Sequence, residues 1–109
     1  PLFSNDADVS RGIQDAGDAV EDPLWTLPLY APYKQMIESP IADLNNAAKS
    51  PFAGCITAAL FLGEFVPRDV PWLHLAIAGP AFTEKDLPHA ATGATGAGVM
   101  TLIRWLESA

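Results

Sequence analysis

At 109 residues the chain has room for one small domain or for a piece of a larger one. Half its residues are hydrophobic and 17% are charged, which excludes a disordered segment. A net charge of −7 argues against a nucleic-acid surface, which needs clustered Lys and Arg. No apolar run reaches the ~18 residues of a membrane span, so neither nucleic acid nor membrane is expected as a partner.

The chain starts abruptly on Pro1-Leu2-Phe3, without the basic n-region and apolar stretch of a signal peptide. We read this as a chain that begins in the middle of a fold, with Leu2-Phe3 as the tail of a strand. Ser4-Asn5-Asp6 supplies N-cap candidates, and Asp6 and Asp8 favour the positive end of a following helix. Val9, Ile13, Ala16 and Val20 form one apolar stripe, with Asp15 and Asp18 among the acids opposite. Those acids read as a solvated face rather than a cation site. Gly12 and Gly17 weaken the helix by about 1 kcal/mol each relative to Ala, and Asp22-Pro23 ends it.

Leu24 to Tyr30 is apolar but broken by Pro28, which suits an edge segment or an extended connection. Pro32 opens a short helix through Ile37, which Ser39-Pro40 breaks. Ile41 to Asn46 leads into a loop over 47–52. Ala53 to Phe65 reads as a helix that is apolar nearly all round and so largely buried. Its single cysteine, Cys55, reads as a small buried residue rather than a nucleophile. One cysteine also fits a reducing compartment, and the expected location is the cytoplasm.

Trp72 to Gly79 is bounded by Pro71 and by Gly79-Pro80 and is apolar apart from His74. It reads as a strand covered on both faces. Helix followed by strand, with about five residues between, is half of a βαβ crossover. Pro80 to Thr92 reads as an irregular segment, long enough to suggest a functional loop. Val99, Leu102, Ile103 and Leu106 then fall at helical spacing, with Trp105 off that stripe. The fold class expected is α/β.

No catalytic set assembles from these residues. There is no His-Glu-x-x-His helix, no cysteine pair and no Gly-x-Ser-x-Gly elbow. His74 reads as a hydrogen-bonded structural histidine and His89 as a solvated one. The glycines at 93, 96 and 98 precede a helix, as in a phosphate loop. Thr95 occupies the place of a required glycine, however, so a tight turn with close helix packing is the better reading. Asp43 and Asp69 could each act as a general base, but neither has an identifiable partner.

Five ordered motifs resemble the C-terminal end of the leucyl aminopeptidase family (M17, the cytosol aminopeptidases). They are Trp25-x-Leu-Pro, Ser39-x-Ile-Ala-Asp-Leu-x-Asn46, Gly54-x-Ile-Thr-Ala-Ala59, Trp72-x-His-Leu-x-Ile-Ala-Gly79 and Thr95-Gly-x-Gly-Val99. Pro1 to Asn5 and the acidic helix after it match more loosely. The resemblance implies the C-terminal portion of a mixed sheet flanked by helices, incomplete in this chain. Residues 1–109 would then be the C-terminal part of a single catalytic domain, lacking the N-terminal domain and the metal-binding half.

By the same resemblance the intact enzyme removes an N-terminal, leucine-type residue from peptides. It uses two divalent metal ions, zinc or manganese, and assembles as a homo-hexamer. The family's metal ligands and catalytic residues match nothing in this chain, so no catalytic or metal-binding residue and no bound metal are expected here. What carries over is substrate binding: Ala78 and Ala81 would line the pocket for the first side chain of the peptide. Two departures stand out. The family usually has Asp where this chain has Ala76, and Ala81 is smaller than the Met of some relatives. Two other readings remain beside this one, a non-catalytic binding or assembly module and a degenerate aminopeptidase relative.

Overall fold

The buried strand of this chain is its first one. In the computed structural model, which describes residues 1–108, β1 (Leu2–Ser4) carries Leu2 and Phe3 with no exposed surface. β2 (Leu73–Leu75) pairs with it antiparallel, Phe3 opposite His74. On its other side Leu2 bridges in parallel to Thr26, through Leu2 N–H to the Trp25 carbonyl and Leu27 N–H to the Leu2 carbonyl, both 2.9 Å. The sheet is therefore mixed, as expected, and Trp25–Leu27 is an extended edge segment.

Trp72–Gly79 differs from its sequence reading. Only Leu73–Leu75 forms a strand, and all three residues are half-buried. A run of apolar residues signals burial but not the neighbour that provides it. Among the described residues β2 has a partner strand on one edge alone. Side chains extend the pairing beyond the strands. Ser4 Oγ donates to the Trp72 carbonyl at 2.6 Å. Asn5 Nδ2 donates to the Val70 carbonyl at 3.0 Å, and its Oδ1 accepts from Trp72 N–H at 2.9 Å.

α1 (Ala7–Ala19) starts where the sequence predicts. The Asp6 carboxylate accepts the amides of Asp8 and Val9, both at 2.9 Å, meeting two donors that the first helical turn leaves unpaired. Ile13, Ala16 and Gly17 are its buried face. Ala31–Ile37 forms a 3-10 helix, and α2 (Gly54–Gly63) packs against it. Trp72 lies on Gly63, where a Cβ would come within 2.9 Å of the indole. α2 is less buried than its composition suggests. Cys55 is exposed, because among the described residues nothing covers the side of α2 that carries it. The helix-to-strand step also makes no parallel crossover, since β2 runs antiparallel to its one neighbour.

α3 (Val99–Glu107) packs on α1. Trp105 lies over Gly12, its Nε1 being 3.2 Å from where a Cβ would sit. The apolar stripe faces outward: Val99, Leu102, Ile103 and Leu106 are all exposed, Leu106 to 67%. The inner face carries Thr101 and Trp105 instead. The whole is a slab of 46 × 34 × 17 Å with a radius of gyration of 15.5 Å, against about 13 Å for a compact chain of about 100 residues. Its accessible surface is 7493 Å², where a compact monomer of this mass exposes roughly 5,800 Å². Large apolar side chains are exposed both on the helices, as at Leu62 and Leu106, and in the connections, as at Trp25, Ile41 and Phe52.

Candidate substrate-pocket wall

The carboxyl end of β2 meets the start of α3 through a short hairpin. Past Leu75, Ala76 N–H still donates to the Pro1 carbonyl at 2.9 Å. The chain then reverses over residues 77–81, closed by Ala81 N–H to the Ile77 carbonyl at 2.9 Å. Ala78 is exposed on this turn and Ala81 half-buried. The structure thus places the two expected pocket residues together on one turn at the strand's end.

The following segment is more ordered than the irregular stretch expected. β3 (Phe82–Thr83) and β4 (Gly93–Ala94) pair antiparallel, Phe82 opposite Ala94. Within the connection the Thr83 hydroxyl donates to the Lys85 carbonyl at 2.7 Å. The Asp86 carboxylate accepts both the amide and the hydroxyl of Thr92 at 2.8 Å. These two bonds, the amide first, hold the Asp86 carboxyl below the usual carboxylate range.

Beyond β4, Thr95 reaches back to the 77–81 turn. Its N–H donates to the Ala81 carbonyl at 3.0 Å and its hydroxyl to the Pro80 carbonyl. Gly96 and Gly98 have φ of +72° and +83°, values that a side chain would strain. Gly98 N–H, at the mouth of α3, donates to Asp22 Oδ2 at 2.7 Å. The same oxygen accepts from the Thr101 hydroxyl at 2.8 Å. A helix N-terminus attracts an anion, and here the chain supplies its own. The glycine run is therefore a tight turn and not a phosphate cradle; its glycines serve positive φ rather than the close helix packing expected, since a Cβ at Gly96 would meet nothing within 4 Å.

An open hollow of about 560 Å³ lies beside the turn. Glu21, Gly79, Pro80, His89, Thr95 and Met100 are among its lining residues; neither Ala78 nor Ala81 borders it. His89 is exposed. His74 stacks on Phe3, ring centroids 6.0 Å apart. Its imidazole makes no hydrogen bond among the described residues, so stacking replaces the bond expected from the sequence. Burial pushes the imidazole below its ordinary value.

Among the described residues no group of three or more His, Cys, Asp or Glu side chains is placed to hold a metal ion. Asp43 and Asp69 are exposed. Residues the sequence reading passed over are Asp22 and Thr101, which fix the start of α3, and Thr95, which was quoted in a motif without a role. The positive-φ glycines around Thr95 were the available signal. Nothing local marked Asp22 as the partner of a residue near the other end of the chain.

The geometry defines part of a mixed α/β domain with a turn at the end of a strand, and among the described residues no cluster is placed to hold a metal ion. The profile of the cytosol aminopeptidase family, catalytic domain, matches residues 1–103, and the chain belongs to that family, M17. It is 42% identical over 108 residues to a probable cytosol aminopeptidase of Rhodopirellula baltica, covering 99% of this chain and 21% of that protein. It superposes on the crystal structure of the Coxiella burnetii cytosol aminopeptidase with a TM-score of 0.87 at 38% identity, covering 98% of this chain and 23% of that one. The bottromycin maturation enzyme BotP, in complex with Mn, gives a TM-score of 0.89 at 36% identity, covering 98% and 24%. The chain thus spans about a fifth to a quarter of the length of the relatives it matches.

Proposed function

We propose that residues 1–109 are the C-terminal part of the catalytic domain of a metal-dependent aminopeptidase that cleaves the N-terminal, leucine-type residue from peptides. In this reading the segment supplies scaffold and, through Ala78 and Ala81, part of the pocket for the first side chain. The observation that carries it is the 77–81 turn at the end of β2, fixed by bonds from Thr95 and by Ala81 N–H to the Ile77 carbonyl, in a chain that follows a family of aminopeptidases over nearly its whole length.

The remaining parts of the reading follow from the same source. The intact enzyme uses two divalent metal ions, zinc or manganese, works in the cytoplasm and assembles as a homo-hexamer. The residues described here do not fit the metals. His74 is stacked on Phe3 and the Asp22 carboxylate is engaged by Gly98 and Thr101. Metal binding and the chemical step therefore belong to residues outside this chain. The outward apolar faces of α2 and α3 would be covered by the rest of the aminopeptidase chain or by neighbouring subunits. No helix of the described residues is long and apolar enough to cross a membrane.

The 109-residue chain by itself should release no p-nitroaniline from leucine p-nitroanilide with zinc or manganese added. Measurable metal-dependent release would overturn this assignment. In the whole enzyme, the small Ala81 leaves a roomy pocket, so phenylalanine p-nitroanilide should be accepted alongside the leucine compound. Ala81→Met should raise KM for phenylalanine about tenfold, the loss of roughly one good apolar contact set. A wild-type preference for alanine substrates would contradict the pocket assignment.

A further inference from the structure

The turn that presents Ala78 and Ala81 has one bond of its own, from Ala81 N–H to the Ile77 carbonyl. Its other anchors come from Thr95, which lies across the hairpin. The Thr95 hydroxyl donates to the Pro80 carbonyl, and the Thr95 amide donates to the Ala81 carbonyl at 3.0 Å. These are consecutive carbonyls, so one residue fixes the peptide planes on both sides of the Ala81 Cα. The direction of the Ala81 methyl follows from those two planes. Removing the hydroxyl would release one plane and keep the other.

Thr95 is itself held from behind. Its hydroxyl oxygen accepts from Ala97 N–H at 3.3 Å, and Gly98 N–H is tied to Asp22 at 2.7 Å. The turn over residues 95–98 is thereby fastened to the end of α1. A hydroxyl that donates to one turn and accepts within another couples the two.

We propose that Thr95 is a positioning residue for the substrate-pocket wall: by clasping the Pro80 and Ala81 carbonyls it sets where Ala78 and Ala81 stand against the first side chain of the peptide. This rests on the aminopeptidase reading above. Thr95 acts through the turn and not on the scissile bond, so its loss should fall on binding of large side chains and spare the chemical step.

The test compares wild type, Thr95→Val and Thr95→Ser in the whole enzyme on alanine, leucine and phenylalanine p-nitroanilides. Valine keeps the shape without the hydroxyl, and serine keeps the hydroxyl. With Thr95→Val, KM for leucine and phenylalanine should rise about tenfold, with KM for alanine and all three kcat values within about twofold of wild type. Thr95→Ser should restore wild-type values. Hydrogen exchange of the Ala81 amide should quicken about tenfold in Thr95→Val, with Leu73–Leu75 unchanged. An equal loss on all three substrates, or none on any, overturns the proposal while leaving the aminopeptidase reading in place. A wild-type enzyme inactive on all three overturns that reading instead. Unchanged Ala81 exchange in the valine variant overturns the clasp under either outcome.

Discussion

Thr101 donates its hydroxyl to the Asp22 carboxylate at 2.8 Å across 79 positions of sequence, and Asp22 also accepts the Gly98 amide at 2.7 Å. Thr101 has no exposed surface, so its hydroxyl has no water to fall back on. One carboxylate thus serves as a cap for α3 supplied from the end of α1. It joins the two helices that pack together and fixes the turn from which Thr95 reaches the Pro80 and Ala81 carbonyls.

That bond should be measurable as a coupling. Asp22→Ala and Thr101→Val should each destabilise the protein by about 1.5–3 kcal/mol, the range for hydrogen bonds to charged groups. In a double-mutant cycle read by urea denaturation, the pair should depart from additivity by about 1 kcal/mol or more. Additivity within about 0.5 kcal/mol would mean that the bond contributes nothing beyond its parts.

Gly17 should resist replacement by alanine. Helix propensity alone favours Ala by about 1 kcal/mol. The structure reverses that preference, because a Cβ at Gly17 would lie 2.7 Å from the Asp22 carbonyl oxygen, a backbone atom, and 3.5 Å from Thr101 Cγ2. Gly17→Ala should therefore destabilise by about 1–3 kcal/mol. At Gly12 the nearest atom is in the Trp105 side chain, at 3.2 Å, so Gly12→Ala should cost less. The order of the two denaturation midpoints checks this. A stabilised Gly17→Ala protein would show that the α1–α3 contact yields easily.

His74 sets a pH dependence of stability. Its folded pKa lies below the ordinary 6.5, so as pH falls the unfolded chain takes up the proton first. Stability therefore drops as pH passes downward through about 6.5, and the loss is complete below the depressed folded value. His74→Phe keeps a ring against Phe3 and removes the titration. Denaturation midpoints of wild type and His74→Phe should diverge between pH about 7 and about 5, with the variant flatter. Parallel curves would exclude His74 as the source.

The helices were legible because their signals are local. The Asp6 cap and the spacing of Val9, Ile13 and Ala16 lie within one element, and α1 follows them, although it ends at Ala19, before the stop expected at Asp22-Pro23. The pairing of Ala78 and Ala81 on one turn had no local signal and came only from the family motifs, since two alanines carry no chemical signature. The paired β3 and β4 escaped notice because each strand is two residues long, too short to show alternation.

By itself the sequence determined where the helices begin, that Leu2-Phe3 belongs to a strand, and the family to which the chain belongs. Caps, turns and periodicity act over a few residues, and ordered motifs survive without reference to packing. Tertiary structure alone decided which apolar residues are covered. It put Leu2 and Phe3 in the core, left β2 half-buried and turned the apolar stripe of α3 outward. It also made Gly17 a close-approach site, drew Asp22 to Gly98 and Thr101, and brought Thr95 to the Pro80 and Ala81 carbonyls. Burial and partnership depend on what stands opposite a residue, and here the opposite residue is tens of positions away.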